Sequence, residues 1–145
     1  MPHRTPITVT WDDTDAGGLI YYPRFFHFVI VGLNDYFSAA VDGAHPMEYY
    51  RQRGYLLPTV AASAAFHSPL RAGDEGVIET TVRDVGNASL SVAFEVVRAV
   101  DGELAADGDV TFVFVDDEFE ATALPETMRA CVRMRGDDTE ASSGS

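Results

Sequence analysis

The stretch RFFHFVIVGLNDYFSAAV, residues 24–41, decides how the rest of the chain must fold. It follows Pro23, a residue suited to the first turn of a helix, and reads as a helix of about 17 residues ending near Asp42-Gly43. Its apolar side chains (Phe25, Phe26, Phe28, Val29, Ile30, Val31, Leu33, Tyr36, Phe37) do not keep to one stripe. A helix apolar nearly all round is a buried helix. Something in the chain must wrap around it.

The wrapper is present on both sides. Upstream, Thr5 to Trp11 alternates Ile7, Val9 and Trp11 with Thr8 and Thr10, which reads as a strand. Downstream, Pro46 to Arg53 reads as a short helix closed by Gly54, and four strand-like runs follow near Leu56–Ser68, Gly76–Val85, Ser89–Val100 and Ala105–Asp116. Turn formers at Ala72-Gly73-Asp74, Gly86-Asn87 and Asp101-Gly102 leave only short connections, which imply antiparallel neighbours. The expectation is an α+β fold, an antiparallel sheet curled around one central helix, with a closing helix from Pro125 to Arg135. A chain of 145 residues has room for one domain, taken as residues 1–135. Residues 136–145 hold no apolar side chain larger than Ala and read as a disordered acidic, Ser/Gly tail.

Charge narrows the partners. Twenty-three Asp and Glu face ten basic residues, all of them Arg, for a net charge of −13 and a pI near 4.4. That balance argues against nucleic acid, whose binders carry a basic stripe, and against anionic membrane surfaces. It also suggests a chain adapted to a salt-rich interior, because such self-repulsion is screened by salt. No apolar run approaches the roughly 20 residues of a membrane span, and the N-terminus lacks a signal-peptide core, so a cytoplasmic protein is expected. The single cysteine, Cys131, forbids an internal disulfide, and with four scattered histidines no metal site is expected.

The chemistry should lie between Trp11 and Tyr22. Asp12, Asp13 and Asp15 fall within four residues, just before Gly17-Gly18 and the start of the long helix. A helix N-terminus offers unpaired N–H groups and partial positive charge, which can polarise a carbonyl or hold an oxyanion. A nearby carboxylate could serve as nucleophile or as general base on water. By spacing alone, the same residues serve equally as helix caps and turn formers.

The run VTWDDTDAGGLIYYPRFF, residues 9–26, resembles the opening signature of the 4-hydroxybenzoyl-CoA thioesterase family of hotdog-fold enzymes. Softer similarity continues through Arg53-Gly54 and Ile78-Glu79-Thr80 into the last strand. The resemblance implies a long helix gripped by a five-stranded antiparallel sheet, and hydrolysis of acyl-CoA thioesters without metal or organic cofactor. It implies Asp15 as the catalytic carboxylate and Tyr22 as the residue whose backbone N–H polarises the thioester carbonyl. Gly18 matches the glycine that lets the chain pass close to substrate, and Asp13 an acidic residue supporting the turn. Members are usually homodimers or homotetramers with active sites at the subunit interface. Thr59 and the loop from Gly86 to Ser89 would then face the neighbouring subunit's ligand.

Two departures from that family are informative. The loop matching Gly86-Asn87-Ala88 is basic in aromatic-CoA members, where it meets the nucleotide phosphates, and here it carries no charge. Arg83 is the nearest positive residue, with Arg24 and Arg71 as further candidates, and the Gly86-x-x-Ser89 form resembles a broader acyl-CoA branch. Where relatives often show an acidic residue one turn into the helix, this chain has Ile30, which would favour an unsubstituted acyl or aryl group.

The remaining candidates have plainer readings. His27 could reach substrate, or be a partly buried structural histidine. A hotdog enoyl-CoA hydratase or dehydratase would use it with a carboxylate. His67 and Cys131 read as structural, and Trp11 with the Phe cluster as core. A non-catalytic acyl-CoA-binding module is the remaining alternative.

Overall fold

A computed structural model describes residues 2–41 and 45–137. The expected helix end at Asp42-Gly43 and residues 138–145 of the expected tail lie outside the described residues. The elements run β1 (His3–Thr8), α1 (Arg24–Tyr36), α2 (Pro46–Arg51), β2 (Thr59–Phe66), β3 (Glu75–Val85), β4 (Ser89–Arg98), β5 (Leu104–Val113) and α3 (Glu126–Met134). The strands form one five-stranded antiparallel sheet in the order β1-β3-β4-β5-β2. Strand alternation sends Ile78 and Val82 of β3, Leu90, Val92, Phe94 and Val96 of β4, and Val110 and Phe112 of β5 to one buried face. Across that face lies α1. Each fully buried side chain of this size contributes about 1.5–3 kcal/mol relative to exposure.

Helix α1 departs from expectation in two ways. It ends at Tyr36 and continues as a 3-10 turn, Phe37–Ala40, so the regular helix is shorter than the apolar run. It is also not buried all round: Phe25, Phe28, Val29, Gly32, Leu33 and Tyr36 form one buried stripe, while Ile30 is 40% exposed on the other face. The sheet curls over only one side of the helix. Gly32 sits where the two touch, and a Cβ there would lie 2.8 Å from Thr80 Oγ1 and 3.1 Å from Ile78 Cγ2.

The first strand is a second correction. It ends at Thr8 rather than Trp11, and Trp11 opens a 3-10 turn, Trp11–Asp13, that rotates its ring out of the core to 77% exposure. The C-terminal helix docks through Met128, Cys131 and Val132, and Tyr36 Oη donates to Asp137 Oδ2 at 2.9 Å. Cys131 is buried, its thiol directed at the Tyr36 carbonyl at 3.3 Å. Burial pushes its pKa up, only partly opposed by Arg135, as suits an inert thiol. Among the described residues, no helix is long and apolar enough to cross a membrane.

Candidate active site

Residues 10–24 form a tied loop leading into α1. Its base is Asp13, whose side chain is buried among polar partners. Asp13 Oδ2 accepts from the Thr10 N–H (2.9 Å) and the Thr10 hydroxyl (3.1 Å), and Oδ1 accepts from Arg24 Nε (2.8 Å). Burial alone would raise this carboxyl's pKa, but these hydrogen bonds and the Arg24 charge outweigh it and hold the pKa below its usual value. Above that base the chain makes a narrow hairpin: Thr14 bridges Ile20, and the Asp15 N–H donates to the Leu19 carbonyl at 2.9 Å. Gly18 closes its tip at φ +81°, a backbone region that glycine enters without strain. A Cβ there would meet nothing within 4 Å, so conformation, not crowding, requires the glycine.

Asp15 is exposed on this hairpin. Its Oδ1 accepts the Gly17 N–H at 2.8 Å, and its Oδ2 has no partner among the described residues. Tyr22 sits where the loop meets the helix. The Tyr21 N–H is spent on the Asp13 carbonyl (2.8 Å), Pro23 has none, and the Arg24 N–H is spent on the Tyr21 carbonyl (2.7 Å). That leaves the Tyr22 N–H as the free donor at this helix start, without a partner among the described residues. Carboxylate and donor therefore belong to one hydrogen-bonded loop.

Two cavities adjoin α1. One, about 360 Å³, is lined by Tyr22, Phe25, Phe66, His67, Leu70 and Ala105, with the Tyr22 ring stacked on Phe66 at 4.5 Å. The other, about 280 Å³, lies beside Ile30 and Leu33, walled by Met47, Leu56 and Phe114 and also by His45, Glu48 and Arg51.

The other sequence candidates are more scattered. His27 is exposed rather than partly buried: its ring lies 5.9 Å from that of Phe28, and it has no carboxylate partner among the described residues. Thr59 begins the edge strand β2 and is exposed. Ser89 begins β4, where its carbonyl accepts the Gly86 N–H at 2.9 Å, and a Cβ on Gly86 would sit 2.5 Å from Ser89 Oγ. Arg83 lies on the sheet face away from α1, in a shallow concavity with Ala93, Glu95 and Asp109. Within one protomer it is not brought to Asp15 or Tyr22.

Three participants escaped the sequence reading. Arg24, weighed as a phosphate contact, is engaged by Asp13, with Nη2 2.6 Å from Oδ1. His67, read as structural, lines the cavity beside Tyr22, its Nε2 3.0 Å from Asp107 Oδ1. The β2–β5 register, with Ala65 opposite Asp107, brings these residues together across forty positions of sequence. Arg129 of α3 holds the uncharged β3–β4 loop, donating to the Gly86 and Asn87 carbonyls at 2.9 Å each. No local motif marks the His67–Asp107 pair or the contacts of Arg129 with the β3–β4 loop.

The fold matches solved hotdog thioesterase structures. A 1,4-dihydroxy-2-naphthoyl-CoA thioesterase from Synechocystis superposes with a TM-score of 0.79 at 20% identity, covering 90% of this chain and 94% of that one. In sequence, the chain is 30% identical over 100 residues to the 1,4-dihydroxy-2-naphthoyl-CoA hydrolase of Microcystis aeruginosa, covering 68% of this chain and 69% of that protein. It is 27% identical over 85 residues to the acyl-CoA thioesterase YbgC of Haemophilus influenzae, a match spanning 59% of this chain and 61% of that protein. Residues 9–132, from just after β1 to the last buried turn of α3, match the family model of the thioesterase-like superfamily, and the chain belongs to that superfamily, as its opening motif led one to expect.

Proposed function

We propose that this protein hydrolyses acyl-CoA thioesters to the free acid and CoA. The Tyr22 N–H would hydrogen-bond the thioester oxygen while Asp15 either takes a proton from a water that attacks the carbonyl carbon, or attacks it itself to form a mixed anhydride that water then hydrolyses, releasing the acid and restoring Asp15. In both courses the C–S bond breaks and CoA leaves as its thiolate, a good leaving group. One carboxylate and one oxyanion donor can therefore suffice. What carries the reading is the tied loop, in which an exposed carboxylate oxygen and an N–H without a partner among the described residues are anchored together. The relatives' names, all CoA-thioester hydrolases, support the substrate class. The cavity at Ile30, with Leu33, Leu56 and Phe114 on its apolar wall, supports room for an acyl or aryl group.

The active unit in this reading is a homodimer joined through β2, or a homotetramer built from such dimers. Edge strands are normally guarded by charge or proline. The other edge, β1, carries Arg4 and Pro6, whereas β2, TVAASAAF, has neither and is largely exposed. A second copy would cover it and set its Thr59 and Ser89 near the first copy's loop.

The test is free-thiol release from a panel of acyl- and aroyl-CoA thioesters, in low and molar salt, with Asp15→Asn alongside. Turnover should fall by roughly 10²–10⁴ in the variant. A folded Asp15→Asn protein of near-normal activity would sink the assignment. Enoyl-CoA hydration belongs in the same panel because a histidine–carboxylate pair, His67 with Asp107, lines the cavity beside Tyr22. Hydration lost in His67→Ala, with no thioester cleavage, would favour the hydratase instead.

A further inference from the structure

Arg24 stands where local preference argues against it. It is the first residue of α1, and a positive charge at a helix N-terminus opposes the helix dipole. No acidic residue in that first turn compensates. Asp13 is equally costly, a carboxylate only 3% exposed in a turn where a neutral Asn could accept the Thr10 N–H as well. Local rules broken in this way tend to mark functional sites. The two residues meet through Nε and Nη2 on one carboxylate oxygen, at 2.8 and 2.6 Å. Removing either partner leaves an uncompensated charge at the base of the loop.

We infer that Asp13 and Arg24 are positioning residues for the thioester chemistry: their ion pair sets the direction of the Tyr22 N–H and its spacing from Asp15. The inference rests on the function proposed above. Tyr22 lies between two residues tied to Asp13, Tyr21 through its N–H on the Asp13 carbonyl and Arg24 through its guanidinium. Asp15 lies two residues beyond Asp13 on the other arm of the hairpin. One buried carboxylate thus anchors both arms. Misplacement by about 1 Å can cost on the order of 10²-fold in rate, so losing this anchor should act on the chemical step more than on binding.

The experiment compares Asp13→Asn, Arg24→Met, Arg24→Lys and the Asp13→Asn/Arg24→Met double variant with the wild type and Asp15→Asn, at a temperature well below every variant's unfolding midpoint. Asp13→Asn and Arg24→Met should each lose roughly 10- to 100-fold in kcat with KM changed less than about threefold. Arg24→Lys should recover part of the loss, and the double variant should fall no further than the worse single. Amide NMR signals of residues 12–22 should shift or broaden in Arg24→Met while those of β4 do not, a readout independent of turnover. Unchanged kcat in variants whose midpoints drop would reduce the pair to a structural brace and overturn the inference. A raised KM with unchanged kcat in Arg24→Met would make Arg24 a phosphate contact and overturn it too. Full activity in Asp15→Asn would be a different failure, that of the proposed function, and the NMR comparison would still decide the anchoring role.

Discussion

Asp13 keeps its charge inside the fold, and this has a consequence for acid stability. Burial opposes ionisation, but the Thr10 N–H, Arg24 and the Thr10 hydroxyl together lower its pKa. A carboxylate depressed in the folded state stabilises the fold above its unfolded pKa, about 3.9, and loses that contribution as pH falls through the lower folded value. Below pH 4, therefore, the urea midpoint of the wild type should fall more steeply with pH than that of Asp13→Asn. Parallel slopes would show that Asp13 contributes no such term. At this same scale Asp15 and Tyr22, the proposed carboxylate and donor, stand out because both lie in one contiguous motif. The histidine–carboxylate pair beside the Tyr22 cavity does not: it is His67 with Asp107, which the β2–β5 register brings together, whereas His27 has no carboxylate partner among the described residues.

Helix α1 shows what an apolar run does and does not say. Nine large apolar residues foretold the central helix, but which of them face the sheet depends on how far the sheet curls. Gly32 records the answer. Replacing a mid-helix glycine by alanine gains about 1 kcal/mol in helix propensity. Here the new Cβ would press on Thr80 Oγ1 at 2.8 Å, and forced packing of that kind costs about 1–3 kcal/mol. Thr80 is fully buried on β3, so it cannot swing away as a surface chain would, and the clash should win. Gly32→Ala should lower the thermal midpoint, and the same change in a Thr80→Ala background should cost less. A Gly32→Ala protein as stable as wild type would mean that helix and sheet can separate cheaply at this point. Thr80 Oγ1 is also buried without a hydrogen-bond partner among the described residues, which is consistent with its being pressed against the helix.

At the scale of the whole molecule, the charge of −13 acts over distances that no single pair determines. The ion pairs on view, such as Arg51–Glu48 and Arg98–Asp101, lie largely at the surface and are worth little individually. Mutual repulsion among the remaining carboxylates is long-ranged and screened within about 10 Å at 0.1 M salt. The unfolding midpoint should therefore rise from low to molar potassium chloride, and a flat or falling midpoint would remove the case for a salt-adapted chain. The unguarded β2 edge carries the other expectation at this scale. Light scattering should give a mass near two or four times 15.8 kDa, and Val60→Lys, charging a 59% exposed edge position, should shift the mass toward the monomer and lower turnover. A monomeric, active wild type would place the whole site within one chain.

By itself, the sequence was enough for the α+β class, the run of four strands after a long helix, and the loop from Trp11 to Tyr22 on which the proposed chemistry rests. These follow from periodicity, turn residues and one contiguous motif, all of which are local properties of a chain. Only tertiary structure decided that Trp11 faces outward, that one side of α1 stays open, and that Arg24 serves Asp13. The same holds for His67 beside Asp107 and for Arg129 on the β3–β4 loop. Those outcomes depend on sheet curvature, strand register and how the Asp-rich loop folds back on the helix start, which periodicity and turn residues alone do not encode.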